Sequence, residues 1–132
     1  MKLVGIDYGM KRVGVAVSDE SGTMAFPKAI FPNNKMLMEE ITRFITAENA
    51  EAVVVGESRN RTGEDNPIMG NIRTFVSELE QSLGLPVHLE PEFYTSAEAK
   101  RLSLDTKAPK QSQQHVDAKA AAIILNSFIA RT

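Results

Sequence analysis

Apolar residues along this chain follow two different periods. Leu3, Val4, Gly5 and Ile6 form an apolar run that ends at Asp7, the pattern of a strand buried on both faces. The segment 2–7 leads into a tight turn, Tyr8-Gly9-Met10-Lys11, and then into a second apolar run over 12–18, so the two predict a hairpin. A further turn, Asp19-Glu20-Ser21-Gly22, precedes a weaker strand from Met24 to Phe31. Pro27 places that strand at a sheet edge, because proline has no N–H to give to a central ladder.

The period then lengthens. Leu37, Ile41, Phe44 and Ile45 fall at i, i+4, i+7 and i+8, which predicts a helix with one apolar stripe. Ala52 to Val55 is a short β-branched run, a buried strand of the parallel kind. Ile68, Ile72, Phe75, Val76, Leu79 and Leu83 predict a second amphipathic helix, stopped at Gly84. A short strand over Pro86–Leu89 follows. Thr95-Ser96-Ala97-Glu98 has the form of a capping box and predicts a third, short helix. Residues 103–114 are polar with Pro109 among them and read as a loop, and His115 to Ala130 reads as a final helix. Three antiparallel strands followed by strand–helix alternation predict an α/β architecture, a mixed five-stranded sheet flanked by helices. That order is the one found in ribonuclease H-like folds, and the actin-like ATPase core shares it.

Composition changes this picture little. The 132 residues, 42% hydrophobic and 24% charged, suit a single globular domain spanning 1–132. With no cysteine there is neither a disulfide framework nor a thiolate metal site. The opening apolar run is short and interrupted by an acid, unlike a signal peptide. No run approaches the ~18 apolar residues of a membrane span. A cytoplasmic protein with no membrane partner is the expectation. The net charge of −2 lowers the expectation of a non-specific nucleic-acid binder without removing a local basic patch.

The acids carry the candidate chemistry. Asp7 ends a strand expected to be central, and the C-terminal ends of parallel strands line the ligand crevice of open α/β sheets. The strand at 52–55 delivers Gly56 to Arg61 to the same edge, and the strand at 86–89 delivers Glu90 and Glu92. Asp117 lies at i, with Ala121, Ile124 and Phe128 at i+4, i+7 and i+11, so it continues an apolar stripe. An acid there is costly unless paired or holding a cation; the other reading, an acid starting the helix in solvent, is equally open from the pattern alone. Converging carboxylates suit Mg²⁺ or Mn²⁺, hard cations that take oxygen ligands. Two such ions can support phosphodiester hydrolysis.

Basic residues near these acids are candidate phosphate contacts: Lys11 and Arg12 after the first turn, Arg59 and Arg61 after the 52–55 strand, and Lys107 and Lys110 in the polar loop. For each, a solvated surface charge is the alternative. His88 reads as structural, and His115 as packing at a helix start. Gly5, Gly9 and Gly14 precede a strand rather than a helix and so form no dinucleotide-binding fingerprint.

Two stretches carry a family resemblance. The run from Gly5 to Asp19, Gly-Ile-Asp-Tyr-Gly-Met-Lys-Arg-Val-Gly-Val-Ala-Val-Ser-Asp, closely resembles the opening of the YqgF/RuvX family, and Val116 to Leu125 resembles its closing helix. Val54-Val55-Gly56 and Thr95 to Ala99 fall where that family has matching segments, so the resemblance spans the chain. It implies a ribonuclease H-like fold and a nuclease that matures the 5′ end of the small-subunit ribosomal RNA precursor; the family is also described as resolving Holliday junctions. Its first and last acids map onto Asp7 and Asp117. Its middle Asp-Glu-Arg motif reads Pro91-Glu92-Phe93 here, so the central Glu persists as Glu92 while its flanking Asp and Arg do not. The Gly-Leu-Pro after the family's fourth strand is Gly56-Glu57-Ser58.

The leading expectation is therefore a Mg²⁺- or Mn²⁺-dependent nuclease with Asp7, Glu92 and Asp117 as catalytic metal ligands. Its partners would be nucleic acid, either an RNA precursor or branched DNA, and the ribosome, with the chain a monomer or homodimer. A nucleic-acid- or ribosome-associated binding module with weakened catalysis is the alternative, favoured by the altered middle motif. An actin-like phosphotransferase needs a second domain to enclose its nucleotide, for which 132 residues leave no room.

Overall fold

A computed structural model describes residues 1–58, 67–92 and 112–131, with Glu92 and residues 112–117 described by backbone. The elements run β1 (Leu3–Tyr8), β2 (Arg12–Ser18), β3 (Ala25–Pro32), α1 (Leu37–Ala47), β4 (Ala52–Ser58), α2 (Met69–Leu83), β5 (Val87–Glu92) and α3 (Ser112–Arg131). The five strands form one sheet in the order β3-β2-β1-β4-β5. β1 pairs antiparallel with β2 and parallel with β4, and β4 pairs parallel with β5. This is the expected mixed sheet flanked by helices, with β1 at its centre. The expected short helix at Thr95–Glu98 lies outside the described residues.

Side-chain alternation divides the interior in two. Val4 and Ile6 of β1 join Val53 and Val55 of β4 in a core closed by Ile41 and Ile45 of α1 and by Ile72, Phe75 and Leu79 of α2. Leu3, with Ala52 and Val54 of β4, faces the second core, which α3 closes with Ala121, Ala122, Ile124 and Leu125. β1 is buried on both faces, which is why its sequence is continuously apolar rather than alternating.

The second core is built from small residues because α3 lies close to the sheet. A Cβ placed on Gly5 would sit 2.7 Å from Leu125 Cβ and 3.0 Å from the Ala121 carbonyl oxygen. Gly5 is thus the residue that lets the helix approach, and the alanines of α3 and of the facing strands continue the same narrow gap. On the other side the apolar spacing of α1 buries Leu37, Ile41 and Ile45. α2 stops at Gly84, which takes the left-handed conformation with φ 66°.

Several boundaries differ from the sequence pattern. β4 continues past Val55 to Ser58, and β5 past Leu89 to Glu92, because parallel pairing from Val53↔Val87 to Ser58↔Glu92 carries both strands beyond their apolar stretch. Pro91 is tolerated because β5 is an edge strand that pairs on one side only. β3 is the other edge, as Pro27 predicts. Val15 pairs Ala29 while Ala16 pairs Pro27, so Lys28 is the extra residue of a bulge. The final helix begins at Ser112 rather than His115, since Ser112, Gln113 and Gln114 are polar but compatible with helix.

At the far end of the β2–β3 hairpin, Asp19 organises the turn. Its carboxylate accepts bonds from the Thr23 N–H at 2.7 Å and the Thr23 hydroxyl at 2.6 Å, and a further bond from the Ser21 hydroxyl at 3.0 Å. The Thr23 hydroxyl bond is the largest of the effects that hold the Asp19 carboxyl well below the usual carboxylate range.

Candidate functional site

Asp7 stands next to last in β1, opposite Gly14 of β2, and is half-buried. By alternation it shares the face of Leu3 and Gly5, the face covered by α3. The parallel register Ile6↔Val55 places Asp7 level with Gly56 of β4, and Gly56 pairs with Glu90 of β5. Glu92 lies one pleat repeat beyond Glu90, opposite Ser58, at a register position on the α3 face. The ends of β1 and β5 therefore meet one edge of the sheet, two strand spacings or roughly 10 Å apart.

Asp117 lies in α3 one helical turn before Ala121, the residue whose carbonyl oxygen approaches Gly5. Gly5 in turn lies two residues before Asp7 on the same sheet face. The helix that carries Asp117 thus packs closely on the strand that carries Asp7, the close approach being made at Ala121 and Leu125. Ala121 and Ile124 of the apolar stripe are buried as the spacing predicts.

Of the two acids that the sequence delivers to the rim, the structure describes the side chain of Glu90. Glu90 is 2% exposed; it accepts a bond from the Ser127 hydroxyl at 2.8 Å and an ion pair from the Arg131 guanidinium. Its carboxylate is committed to fastening the end of α3 to β5. Ser127 and Arg131 are missed by pattern reasoning, although their i, i+4 spacing puts two polar groups on one helix face. His88, expected to be structural, stacks on Phe128 with ring centroids 5.2 Å apart.

Lys11 and Arg12 stand at the turn directly after Asp7, Lys11 exposed and Arg12 half-buried. That turn is held by Asn33, a residue with no conspicuous sequence signal. Its backbone N–H donates to the Lys11 carbonyl at 2.9 Å, and its side-chain amide donates to the Gly9 carbonyl at 2.8 Å. Arg59, Arg61, Lys107 and Lys110 lie outside the described residues, as does Phe93.

The donor set suits a hard divalent cation: carboxylate oxygens on strand and helix elements, no cysteine in the chain, and a histidine that is engaged in packing. Among the described side chains, which exclude those of Glu92 and Asp117, no group of three or more His, Cys, Asp or Glu residues is placed to hold a metal. No helix among the described residues is long and apolar enough to cross a membrane.

Comparison with known proteins gives this geometry a context. The chain is 39% identical over 132 residues to a protein of Nitratidesulfovibrio vulgaris named "Putative pre-16S rRNA nuclease", covering 98% of this chain and 93% of that one. It is 34% identical to a Bacteroides fragilis protein of the same name, covering 97% and 95%. Among solved structures, RuvC of Thermus thermophilus in complex with a Holliday junction superposes with a TM-score of 0.61 at 21% identity, covering 99% and 96% of the two chains. The fowlpox virus Holliday junction resolvase superposes with a TM-score of 0.60 at 18% identity over the whole of both chains. These two show that the fold is the ribonuclease H-like one shared with RuvC and the viral resolvase. The model of the RuvX family, described as Holliday junction resolvase, matches residues 1–131, and the chain belongs to that family.

Proposed function

We infer that this protein is a Mg²⁺- or Mn²⁺-dependent nuclease hydrolysing phosphodiester bonds, acting in the cytoplasm as a single domain over residues 1–132. The observation that carries the reading is the position of Asp7. It stands next to last in the central strand, on the face that α3 covers and near the sheet edge reached by the end of β5. Asp7, Glu92 and Asp117 would hold the cation. When bound, the cation supplies activation of the attacking water and neutralisation of the leaving oxygen.

The chain's own residues supply the rest. The three acids stand on β1, on edge strand β5 and on α3, which packs on both strands. Lys11 and Arg12 stand beside Asp7 at a turn that Asn33 holds in place, suited to orienting a phosphate. Arg59, Arg61, Lys107 and Lys110 are assigned as further backbone contacts along the substrate.

The precursor of 16S ribosomal RNA, cut at its 5′ end during ribosome biogenesis, is the substrate we assign first. Relatives at 31–39% identity carry that name, whereas the resolvase structures are more distant and speak for the fold. Branched DNA is the second. The test is cleavage of both substrates by purified protein in Mg²⁺ and in Mn²⁺, beside Asp7→Asn and Asp117→Asn. Loss of cutting in both variants with the fold intact is expected; cutting at an equal rate in Asp7→Asn would overturn the assignment. Pro91 and Phe93, in place of the family's Asp and Arg, favour a second reading, a nucleic-acid-binding module of the same fold. It predicts binding without cutting by the wild type.

A further inference from the structure

Across the β1 edge from Asp7 lies a cavity of about 400 Å³ between the starts of α1 and α2, within the size range of small-ligand sites. Tyr8 and Phe75 give it an aromatic surface, their ring centroids 4.8 Å apart. Asn33, Asn34 and Asn71 belong to its lining, as does Thr74. The Asn33 amide donates to the Gly9 carbonyl, the Asn34 Oδ1 accepts from the Met36 N–H and the Thr74 hydroxyl donates to the Gly70 carbonyl. The Asn33 oxygen, the Asn34 NH2 and the Asn71 carboxamide are thus the groups that remain to read a ligand. Lys35 and Glu78 are its charged residues, one of each sign.

Gly70, the second residue of α2, also lines this cavity. A Cβ added there would meet nothing within 4 Å, and its φ is not positive. Neither backbone conformation nor packing calls for glycine at this first-turn position. What glycine does provide here is open volume.

The lining is that of a site for a planar, polar-edged ring. An aromatic surface beside several amide donors and acceptors is how proteins hold unpaired bases, by stacking and by reading their hydrogen-bonding edge. Lys35 is matched by Glu78, so the cavity is a poor seat for a phosphate, while a carboxylate can accept from a base amino group. Asp7 and Tyr8 are consecutive, their Cα atoms about 3.8 Å apart, and alternate to opposite faces. Both stand at the end of β1, so a substrate strand that passes over that sheet edge from a phosphate at Asp7 leads toward the cavity on the other face.

We propose that this cavity seats an unpaired nucleobase of the substrate strand that presents a phosphate at Asp7. The link to Asp7 rests on the nuclease reading; the base-binding cavity does not.

The experiment titrates ¹⁵N-labelled full-length protein, without divalent cation, with each ribonucleoside and deoxyribonucleoside 5′-monophosphate. At least one is expected to shift the amides of Gly70, Asn71 and Thr74 and the side-chain amides of Asn33 and Asn34. Gly70→Trp, which fills the cavity from an exposed helix position, should weaken that binding roughly tenfold or more, and Asn71→Ala several-fold. Gly70→Ala should keep it. If none of the monophosphates shifts these amides at millimolar concentration, or if both Gly70→Trp and Asn71→Ala bind as the wild type does, the proposal is overturned. Cleavage is measured separately. Cavity shifts without cleavage would retain the base site and remove the nuclease reading; cleavage unchanged in Gly70→Trp together with absent shifts would do the reverse.

Discussion

The Asn33 side-chain amide donates to the Gly9 carbonyl at 2.8 Å, linking the end of edge strand β3 to the turn that follows Asp7. A half-buried amide–carbonyl bond of this kind contributes about 1 kcal/mol. Asn33→Ala should lower stability by about that amount in urea denaturation. Since the same turn carries Lys11 and Arg12, its cleavage rate should fall by more than the small loss of folded protein explains. A rate unchanged in the folded variant would show that the turn needs no such anchor.

Removal of Arg131 should expose the cost of keeping Glu90 in the interior. Glu90 is 2% exposed and has two partners, Ser127 and Arg131. Arg131→Ala leaves the carboxylate with one, and we expect a loss of about 1–3 kcal/mol. Pairing the change with Glu90→Gln in a double-mutant cycle should recover part of it. Additive effects would indicate that the ion pair contributes little to holding α3 on β5.

The close approach of α3 to β1 predicts intolerance at Gly5. A methyl group there would lie 2.7 Å from Leu125 Cβ, so Gly5→Ala should destabilise by about 1–3 kcal/mol. Leu125→Gly, which alone removes that Cβ, should relieve part of the clash at the cost of a cavity and of a glycine within α3, whereas Leu125→Ala, which keeps the Cβ, should not. A Gly5→Ala protein melting at the wild-type temperature would mean that the helix shifts away freely.

Metal binding should be readable without catalysis. Clustered carboxylates repel one another when no cation is bound, and a ligand that binds the folded state raises its melting temperature by mass action. Mg²⁺ or Mn²⁺ should stabilise the wild type, while Asp7→Asn should be at least as stable without metal and respond less to it. Equal metal-induced shifts in the two proteins would count against Asp7 as a ligand.

The Asp19 turn predicts a pH dependence away from the site. Its hydrogen bonds hold the folded-state pKa below the ordinary 3.8. The contribution is therefore present above that ordinary value and is lost as pH falls through the lower folded-state pKa. Asp19→Asn should melt below the wild type near pH 7, and the gap should narrow as acid protonates the wild-type carboxylate. A gap independent of pH would locate the effect in geometry rather than charge.

Local order was decided by the sequence itself. The switch from continuous apolar runs to helical spacing located the strands and helices, Gly84 marked the stop of α2, and Pro27 marked an edge strand, because backbone sterics and amphipathicity act over a few residues. The same logic put Asp7 at the end of a buried strand. What the sequence left open was everything that depends on pairing between distant segments. β4 and β5 extend to Ser58 and Glu92 only because each supplies the other's ladder, and no local preference would carry a strand through Pro91. Glu90 and Glu92 look alike two residues apart in the chain; packing of α3 gives Glu90 to Ser127 and Arg131, partners 37 and 41 residues away. Asn33 becomes an anchor only when β3 comes to lie beside the turn at Gly9. The neighbourhood of Asp7 with α3 is set by the absence of a side chain at Gly5, a steric fact that exists only once helix and sheet are brought together.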